Sequence, residues 1–252
     1  MKFSESSLLL AFTAIFIGLV SCQQRSKETP YPPFISDVGL VSDERSAPTL
    51  PAEDNKLHFD HVTLEDGLSQ STTTSIVQDD QGFMWFGTSN GLNRYDGYEI
   101  TVFKHIPSDS NSLSDNLIQT LFVDSSGTMW IGMEGGGLER FVGEKEQFEH
   151  YKNDPDDSSS ISSNFVYSIH EDRSGTLWVG TLNGLNKYDP SSDAFVLHQI
   201  EPNPSDDSAS TNFILAIHDD PSGVLWLGTA GGLLTFDPRT GEFDDKPLPP
   251  RY

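Results

Sequence analysis

The stretch Asp172-Arg173-Ser174-Gly175-Thr176-Leu177-Trp178-Val179-Gly180-Thr181-Leu182-Asn183-Gly184-Leu185 decides how the chain is read. Asp172 and Gly175 take the first and last positions of a four-residue turn, where a type I turn favours Asp and Gly. Thr176 to Thr181 follows as a short strand of β-branched and aromatic residues around Trp178. Asn183-Gly184 then predicts a tight I′ hairpin with both residues at positive φ. The same string recurs four times. Trp85, Trp130, Trp178 and Trp226 are the four tryptophans of the chain, spaced by 45, 48 and 48 residues. Asp79, Asp124, Asp172 and Asp220 stand six residues before them, and Gly87, Gly132, Gly180 and Gly228 two residues after. A fixed period of this length is the signature of a repeat architecture.

Each copy contains four strand-like segments. In the third they are Asn164–Glu171, Thr176–Thr181, Leu185–Tyr188 and Ala194–His198. Four antiparallel strands per repeat is the pattern of a β-propeller blade, and no segment of the repeats has the 3.6-residue apolar period of a helix. The expectation is an all-β propeller of about four four-stranded blades, with repeats at about 66–105, 113–151, 161–198 and 209–248. Polar connectors Pro107–Leu113, Asp154–Ile161 and Pro204–Ala209 join them, and Asn116, Asn164 and Asn212 are placed to bond the connectors' own backbone.

Leu-Ser-x-Asn, an apolar strand, Asp-x-x-Gly-x-Leu-Trp-Ile-Gly-Thr and Gly-Leu-x-x-Tyr-Asp together resemble the two-component regulator propeller repeat. Asp66-Gly67-Leu68-Ser69 through Trp85-Phe86-Gly87-Thr88 and Gly91-Leu92-Asn93-Arg94-Tyr95-Asp96-Gly97 resemble that family's opening blade. The resemblance covers residues 58 to about 243. It implies the periplasmic input propeller of sensor histidine kinases, often hybrid ones that sense products of polysaccharide breakdown. It further implies a seven-bladed ring followed by a β-sandwich, a membrane helix and kinase modules. The four repeats here are expected to be an open, N-terminal part of such a ring.

Ahead of the repeats, Lys2 and the 13-residue apolar run Leu8–Val20 suit a signal peptide, the run being too short to span a ~30 Å hydrocarbon core. Leu19-Val20-Ser21-Cys22 resembles a bacterial lipobox. Residues 1–21 are therefore expected as a lipoprotein signal peptide, with Cys22 as the acylated mature N-terminus and the lipid as the only membrane contact. Cys22 is the sole cysteine, so no internal disulfide is available. Residues 22–56 read as a proline-rich disordered linker and 57–252 as the partial propeller. Leu57–Leu64 is expected as an orphan fourth strand, because Phe59-x-His61 parallels Phe103-x-His105 and Phe148-x-His150. The prolines after Lys246 cannot extend a ladder.

A net charge of −23 disfavours nucleic acid and anionic lipid and favours uncharged or cationic ligands. The four tryptophans and their glycines read as blade-to-blade core and the aspartates as turn caps. The sialidase Asp-box is excluded, since there Asp precedes Trp by five residues rather than six. His105, His150 and His198 are read as solvated ends of fourth strands, and no cofactor or zinc spacing is present. Ser89, Asn90, Asn93, Arg94, Glu134, Arg140, Asn183, Asn186 and Lys187 are polar and vary among repeats, as a ligand-reading rim would. The leading expectation is an exported, non-enzymatic sensory propeller that binds an oligosaccharide or a protein partner. The alternatives are a glycan-acting propeller hydrolase or lyase, and a structural lipoprotein scaffold.

Overall fold

The computed structural model describes residues 59–200 and 211–245. The expected signal peptide, Cys22, the linker, the Pro204–Ala209 connector and the proline-rich tail 246–252 lie outside the described residues. The described chain folds into four antiparallel sheets of four strands each. The first blade is β1 (Thr73–Gln78), β2 (Met84–Thr88), β3 (Gly91–Tyr95) and β4 (Ile100–Phe103). The second is β5 (Ile118–Val123), β6 (Met129–Met133), β7 (Leu138–Val142) and β8 (Gln147–Tyr151). The third is β9 (Val166–Glu171), β10 (Leu177–Thr181), β11 (Gly184–Asp189) and β12 (Ala194–His198). The fourth is β13 (Ile214–Asp219), β14 (Leu225–Thr229), β15 (Gly232–Asp237) and β16 (Glu242–Asp245).

Strands pair in chain order within every sheet. The first strands of successive blades lie side by side, β1 by β5, β5 by β9 and β9 by β13, so they form the inner row. No comparable packing joins the fourth blade to the first among the described residues. The fold is that of an open, partial propeller. A four-strand meander places the β1–β2 and β3–β4 turns of a blade on one edge. Its β2–β3 hairpin and its connector to the next blade lie on the opposite edge.

Burial on both faces explains why the second strands of the two inner blades are buried throughout. In β10, Trp178 packs with Ile214, Leu225, Leu227 and Phe236 of the fourth blade, while Leu177 and Val179 pack with Trp130, Leu138 and Ile161 on the other side. Both faces are buried, so every side chain of the strand is buried. Gly180 shares a face with Trp178 and lets the next blade approach: a Cβ there would lie 2.7 Å from Ile214 Cγ2. At Gly87 and Gly132 the corresponding contacts are 2.6 Å to Ile118 Cγ2 and 2.7 Å to Val166 Cγ1.

Two expectations are corrected. The Thr181–Gly184 hairpin is not type I′, because Gly184 has φ +109° but Asn183 is not among the positive-φ residues. Thr181 Oγ1 accepts from Asn183 N–H at 3.0 Å and donates to the Gly184 carbonyl at 3.0 Å, which fixes the turn without a left-handed Asn. Gly184 N–H instead reaches the Asn212 carbonyl of the next blade at 2.7 Å. Residues 59–63 form no strand. Each third strand already carries the fourth strand of its own blade, so none offers Phe59–Thr63 a free edge. The segment leads instead into a 3-10 turn, Leu64–Asp66, closed by a capping box between Thr63 and Asp66.

Candidate ligand-binding rim

The residues expected at a ligand-reading rim divide into three groups. Ser89, Asn90, Glu134 and Asn183 stand in the β2–β3-type hairpins on the connector edge. Asn90 Nδ2 donates to the Ser69 carbonyl at 2.8 Å, Lys104 Nζ donates to Asn90 Oδ1 at 3.2 Å, and Gln199 Nε2 donates to Asn183 Oδ1 at 2.8 Å. Asn93 and Asn186 do not belong to a rim: both are fully buried in third strands. Their Oδ1 atoms accept from Ser69 N–H at 2.8 Å and Ser162 N–H at 2.9 Å, and their Nδ2 atoms donate to the Phe86 and Val179 carbonyls. These asparagines fasten each connector to its blade.

Arg94, Arg140 and Lys187 form the third group, each directly across from the tryptophan of its own blade. The Arg94 guanidinium lies 5.6 Å from the Trp85 ring centroid and pairs with Glu146 of the second blade at 2.8 Å. Arg140 lies 5.7 Å from the Trp130 ring centroid, pairs with Glu149, and reaches Asp193 of the third blade at 3.3 Å. Glu146 (φ +52°) and Asp193 (φ +53°) are the two positive-φ non-glycine residues among those described, so each clasp seats on a strained turn. Burial pushes the Asp193 carboxyl up. Hydrogen bonds from Tyr188 and Tyr151 and the Arg140 charge outweigh that and hold it below the usual value. Arg94 and Arg140 are inter-blade clasps rather than ligand readers.

Of the histidines expected at solvated strand ends, His105 and His150 are exposed and His198 is not. His198 is half-buried between the Trp178 and Phe236 rings, and burial lowers its pKa, while its Nε2 has no hydrogen-bond partner. His150 bonds the buried Glu139 and the Ser110 carbonyl.

Inner strands supply residues that the motif reading missed. The β1–β2, β5–β6, β9–β10 and β13–β14 ladders each break register once, at Thr74, Gln119, Tyr167 and Leu215. A bulge leaves one residue unpaired and re-aims its side chain, and such devices concentrate beside binding sites. The Tyr167 ring lies 4.6 Å from that of Phe213 across the third and fourth blades, and burial raises its hydroxyl pKa, with the Glu134 charge adding to the shift. Gln119 Nε2 donates to Glu134 Oε2 at 3.2 Å, and Glu134 bridges to Phe165, which is itself partly exposed with Leu117 and Leu182. Gln119, Glu134, Phe165, Tyr167 and Phe213 thus bring one aromatic pair, one further aromatic ring and a polar pair to one end of the inner row. The sequence signal was the residue four places before the end of each inner strand, which differs in every repeat: Thr74, Gln119, Tyr167 and Leu215.

The family model for the two component regulator propeller matches residues 67–90, 112–135, 160–183 and 208–231. Histidine kinase P4 of Formosa agariphila is 41% identical over 66 residues, 26% of this chain and 5% of that protein. The extracellular domain of a protein described as a hybrid two-component system, from B. thetaiotaomicron, superposes with a TM-score of 0.54 at 26% identity, over 73% of this chain and 31% of that one. A second extracellular domain from that bacterium, described as part of a one-component system, gives 0.56 at 26% identity over 68% and 24%. A streptogramin B lyase gives 0.52 at 21% identity over 73% and 57%, a likeness of fold alone. The chain spans less than a third of the histidine kinase and of both extracellular domains. Its four repeats are two-component regulator propeller repeats.

Proposed function

We propose that this chain is a non-enzymatic sensory propeller, exported and held to a membrane by a lipid on Cys22, which reads a neutral oligosaccharide at the inner rim. One observation carries the reading. The ring of the bulge residue Tyr167 packs at a tilt against that of Phe213 across a blade boundary, beside the Gln119–Glu134 hydrogen bond. Aromatic faces with a few fixed polar groups are what a sugar ring needs, since its C–H faces are apolar and its hydroxyls demand partners. The net charge of −23 is compatible with an uncharged ligand. The relatives described as extracellular domains of two-component systems support the sensory role and the exported location.

Titration calorimetry with a panel of neutral oligosaccharides tests this. Binding that falls at least tenfold in Tyr167→Ala supports the rim. Saturable binding that Tyr167→Ala leaves unchanged moves the site elsewhere. The enzymatic alternative has its own geometry in His170 Nε2, 3.0 Å from Asp219 Oδ1 with Arg173 Nε 3.2 Å from the other oxygen. Turnover of a glycan that disappears in His170→Ala would select it. For the anchor, Cys22→Ala is expected to leave the membrane fraction.

A further inference from the structure

Glu139 is a carboxylate-type side chain with no solvent exposure, set in β7 where the first and third blades carry Asn93 and Asn186. The three residues share one register. Asn93 pairs across the ladder with Phe86, Asn186 with Val179, and Glu139 with Ile131. They also share one acceptor role. Ser69 N–H, Ser162 N–H and Ser114 N–H donate at 2.8, 2.9 and 2.8 Å to Asn93 Oδ1, Asn186 Oδ1 and Glu139 Oε1 respectively. The second head-group atom differs. Each Asn uses Nδ2 to donate to two main-chain carbonyls, those of Phe86 and Gly91 or Val179 and Gly184. Glu139 Oε2 is buried with no hydrogen-bond partner. By register the carbonyls equivalent to the asparagines' acceptors belong to Ile131 and Gly137. A bare carboxylate oxygen has nothing to offer such acceptors, whereas a carboxylic acid has one O–H.

We infer that Glu139 is a neutral carboxylic acid at neutral pH, its Oε2–H standing in for the asparagine amide, so that the second blade holds its connector with a bound proton. The proton comes from solvent, and no bond other than O–H forms or breaks. His150 completes the latch. Its Nε2 lies 2.7 Å from the Ser110 carbonyl, which only accepts, so Nε2 carries hydrogen. Its Nδ1 lies 3.0 Å from Glu139 Oε1. With Glu139 protonated, Ser114 N–H and the His150 ring hold Oε1, and Oε2–H serves a carbonyl. An ionised Glu139 leaves Oε2 buried and unpaired.

His150, on β8, is the charged group acting on Glu139. Ile131, opposite on β6, is apolar. On the connector, Asp115 turns its carboxylate to Asn116 and Leu117 N–H, and His105 bonds the Leu113 carbonyl. Burial raises the Glu139 pKa, and the Ser114 hydrogen bond and the His150 charge lower it by less. A raised native pKa contributes stability below the unfolded value of ~4.3 and loses it as pH rises through the native value. Ser110 and Ser114 bracket the connector, so loss of this proton loosens the first-to-second blade junction.

Infrared spectroscopy and thermal unfolding of the full chain test this. At neutral pH the wild type should show the carbonyl stretch of a protonated carboxyl, absent in Glu139→Gln. Gln keeps the Oε1 acceptor and supplies a permanent donor, so its Tm should exceed the wild type's at pH 8 and converge with it at pH 5. If Glu139→Gln fails to fold, Glu139→Asn, the side chain of the sister blades, takes its place under the same criteria. Absence of a protonated-carboxyl band in the wild type, or a Tm of the amide variant below the wild type's at pH 8, overturns the inference.

Discussion

Trp178 Nε1 donates to Asp172 Oδ2 at 2.8 Å, while Asp172 Oδ1 accepts from Ser174 N–H and Thr176 N–H. One carboxylate therefore closes the turn and satisfies the indole of a tryptophan whose ring is buried between blades. The same bond occurs from Trp85 to Asp79 at 2.7 Å, from Trp130 to Asp124 at 2.8 Å and from Trp226 to Asp220 at 3.3 Å. The six-residue interval is the distance at which a turn cap reaches the indole. Asp172→Ala removes both services and should cost about 1–3 kcal/mol by chemical denaturation, the range for leaving a buried donor unpaired. A loss within the ±0.5 kcal/mol of ordinary surface changes would refute the shared role.

The same carboxylate makes stability sensitive to acid. Burial pushes the Asp172 pKa up, but hydrogen bonds from Ser174, Trp178 and Thr176 prevail and hold it below the usual value. At Asp220 the bonds from Ser222 and Trp226 lower it to about 2. A depressed native pKa contributes stability above the unfolded value of ~3.9, which is lost as pH falls through the native value. Thermal unfolding between pH 5 and pH 2 should therefore show a steep decline that is shallower in Asp172→Asn. Parallel declines in the two proteins would contradict the assignment.

Trp178 is buried against the fourth blade, whereas Trp226, the equivalent residue in the fourth blade, is only half-buried. Trp178→Ala should cost about 3–5 kcal/mol, as for other buried aromatics, and leave any ligand affinity unchanged. Trp226→Ala should cost less than half as much. Equal losses would mean that Trp226 has a covering partner.

Gly180 and Gly228 share a motif position but not an environment. A Cβ at Gly180 would clash with Ser168 Oγ and Ile214, while at Gly228 its nearest neighbour is Ala216 Cβ at an ordinary 3.4 Å. Gly180→Ala should destabilise by about 1–3 kcal/mol, as overpacking does, and Gly228→Ala should be near neutral. Urea denaturation of the pair checks the contrast, which disappears if the glycines serve only the turn.

What the sequence made legible is whatever the repeat states four times. Trp178, Gly180 and Asp172 announce strand, close approach and turn because each copy repeats them. Asn186 and Asn93 misled because a polar residue that varies looks like a surface reader, whereas here its amide is consumed by backbone partners that sequence does not display. Asn183-Gly184 misled because the Thr181 hydroxyl satisfies the turn and Gly184 serves the neighbouring blade. Tyr167 escaped notice because a bulge shows only in the ladder register.

The last relationship concerns the two ends of the array. Leu121 and Ile169, nine residues before Trp130 and Trp178, are 5% and 8% exposed because each receives the preceding blade; Ile76, at the same position in the first blade, is 56% exposed. The opposite end presents Trp226 beside a groove of about 610 Å³ with Phe243 and Val224 in its wall. These are the two halves of the contact that joins every internal pair of blades. Uncapped ends of repeat arrays associate. A polypeptide of residues His58–Tyr252 should therefore self-associate head to tail with rising concentration, and Ile76→Lys or Trp226→Arg should return it to monomer. Light scattering and small-angle X-ray scattering measure both effects. A monodisperse wild-type monomer with a closed four-blade envelope would show instead that the end blades meet each other.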